Sequence, residues 1–277
     1  MCERKPRVLT GLIGLMAVWA TVDGAAAGSD TERMAEIKRD GGCVRCDLEL
    51  AELRYLNMDG GDFSRVNLRE ADLKEVVLTN ANFRRADLRR AEAERADFSG
   101  SDFTDASMRS VDLEKADLTG AILKEADLRD ADMHYSLISG TDFENADLRN
   151  VTFIRSVAKN ASFKRAKMDE VNLERVDLTG ANLQRARIRD GKLDRVDAVN
   201  ADFSGADLSG VRMVSADLSK ANLTNVNFDG ALLRRTRLAG ADLTGAYNLD
   251  PNRILDACGD ETTKLPKGIE LPDCTDE

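Results

Sequence analysis

The sequence predicts an all-β solenoid, in which a square coil of 20 residues repeats about ten times along one axis. Three observations support this fold class. An apolar residue recurs at every fifth position from Leu48 to Leu243, without an insertion or deletion. The residue two positions before it is nearly always small, as in Ala71 and Ala86. Aromatic residues make up only 5% of the 277-residue chain, so small apolar side chains must form most of the core.

A period of five residues matches neither the 3.6-residue period of a helix nor the two-residue period of a strand. Asp and Gly are also too frequent for either regular element. We therefore expect each repeat to consist of a short extended piece followed by a tight turn. The recurring apolar residue and the small residue before it point inward, and the other three residues point outward.

A four-sided coil should stack every twentieth residue into a column with its own chemistry. One such inward column holds six of the nine phenylalanines: Phe63, Phe83, Phe103, Leu123, Phe143, Phe163, Leu183, Phe203, Leu223 and Leu243. The corner column before it holds residues that tolerate a left-handed backbone: Gly60, Asn80, Gly100, Gly120, Gly140, Asn160, Gly180, Asn200, Lys220 and Gly240. Coils stacked at the parallel-strand spacing would form a dry-cored prism about 48 Å long.

Repeats such as the segments 116–120 (Ala-Asp-Leu-Thr-Gly) and 206–210 (Ala-Asp-Leu-Ser-Gly) resemble those of the pentapeptide-repeat family. The resemblance extends from about residue 46 to residue 246. It implies the right-handed quadrilateral parallel β-helix of that family. The tail from Ala257 to Cys274 also resembles a closing segment of exported family members.

The amino terminus has the order of features typical of a signal peptide. Arg4, Lys5 and Arg7 precede an apolar run that ends near Val22, and small residues follow up to Ala27. We predict a signal peptide over 1–27 with cleavage near Ala27, and hence a periplasmic or secreted protein; an uncleaved membrane anchor is the alternative. The remaining predicted segments are an N-terminal cap (28–45), the repeat helix (46–247) and a C-terminal cap (248–277).

Export favours disulfide bonds among the four cysteines that follow the signal peptide. The repeat separates Cys43 and Cys46 from Cys258 and Cys274 by far more than the roughly 7 Å that a disulfide tolerates between Cα atoms. We therefore predict the pairs Cys43–Cys46 and Cys258–Cys274. A redox pair or half of a metal site are the alternatives for the Cys43–Cys46 motif.

Both ends of a solenoid need a cover for the exposed core. Residues 30–40 precede Gly41-Gly42 and predict a short helical or turn-rich cap. At the other end, Tyr247, Ile254, Leu255 and Ile269 are the predicted apolar cover.

The sequence contains no pattern that indicates catalysis. A phosphate-binding glycine loop, a nucleophile elbow and a histidine cluster are all missing from it. The single histidine, His134, is predicted to be an ordinary surface residue. We therefore predict a non-enzymatic protein with no cofactor and no metal.

Surface charge differs between the sides of the predicted prism. One column consists of Arg69, Arg89, Arg109, Arg129 and Arg149, and a second basic column, at the next corner, of Arg95, Lys115, Arg155, Arg175 and Arg195. Another side carries Asp97, Asp117, Asp177, Asp197 and Asp217 beside Ser and Thr residues. One interpretation is that lateral Asp–Arg pairs only keep a long rod soluble. The other is that the arginines and the basic corner form an anion-binding stripe.

The leading functional prediction is a scaffold of the cell envelope or secreted space that binds an unknown macromolecular partner, a protein or an envelope polymer, through a long side. One alternative, implied by the family, is a DNA mimic that inhibits or protects a DNA-binding protein such as gyrase. Another is a binder of repetitive glycans through the Ser/Thr/Asp side. We expect no direct nucleic-acid binding, and membrane contact only through an uncleaved signal segment.

Overall fold

The chain forms a four-sided parallel β-helix closed by a cap at each end. A computed structural model describes residues 29–274, so the predicted signal peptide lies outside the described residues. Successive coils are paired in parallel at a spacing of twenty residues, from the bridge between Gly42 and Asp62 to that between Asn227 and Tyr247. The predicted twenty-residue coil is therefore confirmed.

Few of these pairings extend into regular strands, because each extended piece spans only about three residues between corners. The strands are β1 (Asn57–Asp59), β2 (Val77–Thr79), β3 (Arg212–Val214), β4 (Leu232–Arg234) and β5 (Ile254–Leu255). β1 pairs with β2, and β4 lies between β3 and β5, all in parallel. Elsewhere single bridges join the coils, as between Asp117 and Leu137.

The inward and outward assignment of each repeat is confirmed. The recurring apolar residues are buried from Leu48 to Leu243, except that Met58 is only partly buried. Phenylalanine rings stack along their column, with centroids 5.0 Å apart for Phe63 and Phe83 and 4.7 Å apart for Phe83 and Phe103. Phe98 packs edge-on against this stack. The core is thus a continuous ladder of side chains in contact from coil to coil.

Hydroxyl groups occupy a few of the inward positions that the sequence predicts to be small. Ser101, Ser136, Thr141, Ser156 and Thr236 are fully buried. Each hydroxyl donates a hydrogen bond to a main-chain carbonyl of the core, as Thr141 does to Leu118 at 2.7 Å and Thr236 to Met213 at 2.7 Å. Because these groups are paired, their burial leaves no unsatisfied donor.

The left-handed corners extend well beyond the prediction. A positive φ was expected for the Gly/Asn column, yet every fifth residue from Arg45 to Gly245 has one, including the bulky Tyr55 and Tyr135. The other three corners carry Arg or Glu at many positions, and Gly, Asn or Asp only at some, such as Gly210 and Asn145. The hydrogen-bond ladder between coils holds these residues in a conformation that they rarely adopt alone.

The N-terminal cover is helix α1 (Ser29–Asp40), as the sequence predicted for this segment. Ile37 is buried against the core and Met34 packs beside it. The chain then turns through Gly41 and Gly42. A Cβ atom on Gly42, whose φ is +137°, would lie 2.2 Å from the Asp62 carbonyl oxygen, so only glycine fits at this junction.

The C-terminal cover differs from the prediction. After a 3-10 helix (Pro251–Arg253), the pairing offset grows from twenty residues to 21 at Cys258 and 22 at Lys264. Leu249, Leu265 and Leu271 are the residues that pack against the core. Tyr247 and Leu255, which were predicted to cover it, are 52% and 43% exposed, because they pair with outward positions of the preceding coil, Asn227 and Arg234.

Candidate binding surfaces on the sides of the prism

Two columns of charged residues were predicted as binding surfaces, and the structure places them on different sides. The aspartate column is Asp97, Asp117, Asp177, Asp197 and Asp217; the arginine column is Arg69, Arg89, Arg109, Arg129 and Arg149. Successive positions of a column sit on neighbouring coils, twenty residues apart, as the bridge between Asp97 and Asp117 shows. Each column is therefore a straight row along the prism.

The carboxylates of the aspartate column are used within their own turns. Each accepts a hydrogen bond from the main-chain N–H two residues later, at 2.9 Å from Ser99, 2.8 Å from Thr119, 3.1 Å from Thr179, 3.3 Å from Val199 and 2.9 Å from Ser219. This Asx turn satisfies an N–H group that the sharp corner leaves free. The recurrence of Asp at this position thus has a structural cause.

Two of the neighbouring hydroxyl groups are engaged as well, whereas the Ser219 hydroxyl is buried without a partner among the described residues. Ser99 and Thr179 each donate to the aspartate of their own turn at 2.7 Å. In addition, Leu137 and Val157 occupy the column between Asp117 and Asp177, and Leu137 is 44% exposed. The Ser/Thr/Asp side is therefore not a continuous polar array.

Three members of the arginine column are held by a carboxylate two residues earlier in the chain. The Arg149 guanidinium donates to both oxygens of Asp147, at 2.8 and 2.7 Å. Arg89 and Arg129 form the same two-bond pair with Asp87 and Asp127. The hydrogen bond from Arg129 lowers the pKa of Asp127, although partial burial raises it. These are the lateral Asp–Arg pairs expected from the interpretation that such pairs keep a long rod soluble.

Arg69 and Arg109 lack this pair, because Asn67 and Ser107 stand where the others have Asp. Arg69 instead lies 3.8 Å from Glu49 and 3.5 Å from Glu70. Arg109 reaches only Asp130, at 3.4 Å. The arginine column therefore contains two loosely paired members, Arg69 and Arg109, and three tightly paired ones.

The second basic column does not join the arginine column. The two lie near opposite edges of one side, which runs from the corner at Arg90 to the corner at Arg95. Arg155 donates to the Tyr135 hydroxyl at 3.1 Å, and Lys115 lies 5.7 Å from the centre of that ring. The single broad anion-binding stripe proposed from the sequence is thus two separate rows.

The side between these rows carries an acidic group of residues. Burial raises the pKa of Asp112, with the nearby Glu94 carboxylate adding to the effect against a hydrogen bond from the Glu114 N–H. His134 contacts the Asp132 carboxylate through Nδ1 and is half-buried. Within residues 29–274, no group of His, Cys, Asp and Glu is arranged to hold a metal ion.

The cysteines form two disulfide bonds at the ends of the prism. Cys43 is bonded to Cys46, with Cα atoms 5.5 Å apart, and both pack against the first coil. Cys258 is bonded to Cys274, with Cα atoms 4.9 Å apart, and closes the C-terminal cap. Among the described residues, no helix is both long and apolar enough to span a bilayer.

Comparison with protein-family models gives matches along the whole repeat region. A model described as pentapeptide repeats matches residues 43–69, 67–105, 181–219, 192–229 and 212–247. A model of a pentapeptide repeat region matches residues 106–183. The matches are contiguous from residue 43 to residue 247, which is most of the chain.

No curated protein matches the chain. Among solved structures, HetL, a pentapeptide repeat protein involved in heterocyst differentiation regulation in the cyanobacterium Nostoc sp. strain PCC 7120, is 29% identical; the match covers 84% of this chain and 94% of HetL with a TM-score of 0.37. QnrB1, a plasmid-mediated fluoroquinolone resistance protein, is 19% identical over 75% of this chain and 91% of its own, with a TM-score of 0.33. The family assignment rests on the family models. The chain belongs to the pentapeptide-repeat family, and its fold is the right-handed quadrilateral β-helix.

Proposed function

We propose that this protein is a non-enzymatic scaffold of the cell envelope or secreted space that binds a macromolecular partner through the side of the prism carrying the arginine column. One observation carries the proposal: five arginines project from the same position of five successive coils, and carboxylates fix three of them in place. Ordered, repeated donors of this kind favour an extended partner with regularly spaced acidic or polar groups.

The two alternative functions find less support in the surface. Mimicry of duplex DNA would require about one unpaired negative charge per 1.7 Å of length. Here Arg or Lys pairs with many of the aspartates, as Lys124 does with Asp142 at 3.0 Å and Lys159 with Asp177 at 3.2 Å. A glycan-binding Ser/Thr/Asp side would need free hydroxyls, whereas those of Ser99 and Thr179 bond within their own turns. We therefore favour the arginine side.

The cellular location is tested by fractionation of the cells that make the protein, followed by intact-mass measurement. We expect a mature chain that begins near Gly28, because the predicted signal peptide ends at Ala27. Its mass should be four hydrogens below that of the reduced chain, since two disulfides form. A full-length, reduced, cytoplasmic protein would contradict the location and would make a gyrase supercoiling assay the next experiment.

The binding side is tested by chemical cross-linking in the same cells. The test variant replaces Arg89, Arg109 and Arg129 by Gln; Gln avoids the repulsion that Glu would suffer from Asp87 and Asp127.

The matched control replaces Arg155, Arg175 and Arg195 of the second basic column by Gln, with the same change in charge. Loss of the cross-linked partner in the first variant alone supports the proposal. Equal recovery of the partner by both variants, or equal loss, contradicts it.

A further inference from the structure

One stretch of the arginine side forms a cleft without any carboxylate in its lining. The cleft has a volume of about 290 Å³ and is lined by Arg69, Arg89, Arg90, Arg109 and Ser110. We call it the four-arginine cleft. The neighbouring cleft along the same column is different, because Asp130, Asp169 and Glu170 line it together with arginines.

The excess of arginine in this cleft has a cause in the sequence. Asn67 and Ser107 interrupt the series of aspartates that hold the other column members, so Arg69 and Arg109 have no bidentate partner. Glu70 is shared, at 3.5 Å from Arg69 and 3.3 Å from Arg90. Arg69 also lies 3.8 Å from Glu49. None of these contacts is bidentate, so the attraction of the two guanidinium groups for a further anion is only partly offset.

The paired arginine in the cleft still has hydrogen-bond donors available. A guanidinium group carries five N–H donors. Arg89 uses its Nε and one Nη to bind Asp87, and its side chain remains 49% exposed. The Asp87 carboxylate therefore fixes the plane of the Arg89 guanidinium and leaves its other N–H groups available to a ligand in the cleft, which reduces the entropy lost when that ligand binds.

The spacing of the donors suits a small, highly charged ligand. Arg69, Arg89 and Arg109 sit on three consecutive coils, so their Cα atoms span about 10 Å. Arg90 and Ser110, at the adjoining corner, add a fourth guanidinium group and a hydroxyl from the edge of the cleft. Donors that converge from several directions match the oxygens of a tetrahedral oxyanion better than a planar, singly charged carboxylate.

We propose that the four-arginine cleft binds a tetrahedral oxyanion, namely a phosphate or sulfate group. The site goes beyond the proposed function and does not depend on it, since the cleft can hold such a group whether or not a macromolecule docks along the arginine column. The interruption of the aspartate series at Ser107 creates the site.

The test is a titration of the full mature chain with sodium phosphate and sodium sulfate, followed by amide NMR at constant ionic strength. We expect saturable binding with a Kd of about 1 mM or lower and shifts confined to the coils around Arg89. Arg109→Gln should weaken binding about tenfold, because it removes a charge-assisted donor. Arg149→Gln, at the same position of the column but outside the cleft, should bind within about twofold of wild type.

A second variant adds a charge and leaves every arginine in place. Ser107→Asp restores the carboxylate that Arg89 and Arg129 already have, so Arg109 should pair with it and affinity should fall about tenfold. Ser162→Asp is the matched control, since Ser162 occupies the same position within its repeat on another side and is likewise half-buried. Wild-type affinity in Ser107→Asp, or shifts spread equally over both basic columns, would overturn the proposal.

A vesicle-binding experiment distinguishes a soluble oxyanion from a lipid headgroup as the ligand. The same variants are sedimented with vesicles of phosphatidylcholine containing phosphatidic acid, and with phosphatidylcholine alone. Phosphate binding without sedimentation supports a soluble phosphate or sulfate as the ligand. Sedimentation that requires both phosphatidic acid and Arg109 supports a lipid headgroup, and failure of free anions and vesicles alike refutes the site.

Discussion

At the residue scale, the repeat is governed by what each of its five positions must do. Ala116 and Leu118 are buried, Asp117 caps the turn, Thr119 donates its N–H to that cap, and Gly120 has a φ of +68°. The burial of Ala116 and Leu118 and the positive φ of Gly120 can be recognised from side-chain type alone. The role of Asp depends on main-chain geometry, and for this reason the aspartate column stands out in the sequence only as a candidate binding surface.

The inward position of Phe143 makes a first prediction. Its ring is fully buried and stacks on Phe163 with centroids 5.0 Å apart. Phe143→Asp should destabilise the protein by about 4 kcal/mol or more, because it buries a charge with no partner. Asp142→Ala should cost about 1 kcal/mol, since it removes one turn hydrogen bond and an exposed contact with Lys124. Chemical denaturation measures both; similar losses would refute the inward and outward assignment.

The capping role of Asp117 makes a second prediction. Asp117→Ala should lower stability by about 1 kcal/mol, because the N–H of Thr119 loses its acceptor. Asp117→Asn keeps an oxygen at the same place and should recover most of that loss, although it removes the charge. Urea denaturation of the two variants separates the effects. If Asn proves as harmful as Ala, the charge of Asp117 matters and the Asx turn does not explain its presence.

At the element scale, the two caps are stabilised by different kinds of contact. Helix α1 covers the first coil mainly through buried apolar contacts of Ile37. The C-terminal cap depends more on polar contacts. Asp260 accepts hydrogen bonds from the N–H groups of Gly240 at 3.0 Å and Thr262 at 2.9 Å. Lys264 reaches Asp242 at 2.7 Å. The tail has few apolar residues at regular positions, so its contacts cannot be predicted from a repeat pattern.

These polar contacts predict that acid loosens the C-terminal cap first. The Lys264 contact lowers the pKa of Asp242 to about 2, and the Thr262 hydroxyl lowers that of Asp260 to about 2. A carboxyl group with a lowered pKa stabilises the folded state above its unfolded pKa of about 3.9 and loses this effect as pH falls through its folded pKa. The C-terminal cap should therefore be fully stable above pH 4 and lose stability as the pH falls toward 2.

Amide NMR between pH 5 and pH 2 checks this order of events. Resonances from the cap should broaden or shift before those of the phenylalanine-stacked coils, which rely on apolar burial. Asp260→Ala removes the acceptor of these hydrogen bonds and should show the loosened cap already at pH 5, and the disulfide between Cys258 and Cys274 keeps the tail attached in both proteins. Simultaneous loss of cap and coils would show that the cap has no separate acid response.

At the scale of the whole molecule, the features that depend on the repeat period could be predicted from the sequence. The five-residue and twenty-residue repeats gave the coil, the buried residues and the phenylalanine stack. Features set by a break in the period were missed. Leu137 and Val157 interrupt the aspartate column, and Ser107 leaves Arg109 without a bidentate partner. The first break matters because the coils place Leu137 and Val157 in line with aspartates twenty residues away. The second matters because the corner brings the side chains of residues two apart into contact, which the repeat period alone does not reveal.

The twenty-residue register makes the last prediction, which concerns deletions. Removal of 166–185 deletes one whole coil and joins Arg165 to Ala186, so every downstream residue keeps its side and its inward or outward direction. Removal of 166–183 is only two residues shorter, yet it places Gln184 at the inward position that Ala166 occupied, and Arg189 inward in the next repeat.

We expect the first variant to unfold cooperatively, with a denaturant m-value reduced in proportion to its length, because stability in a repeat protein is close to a sum over neighbouring coils. The second should lose cooperative unfolding, since charged side chains would enter the core unless the chain bulged at the junction. Equal behaviour of the two deletions in guanidinium unfolding would mean that the coils are not locked to one another every twenty residues.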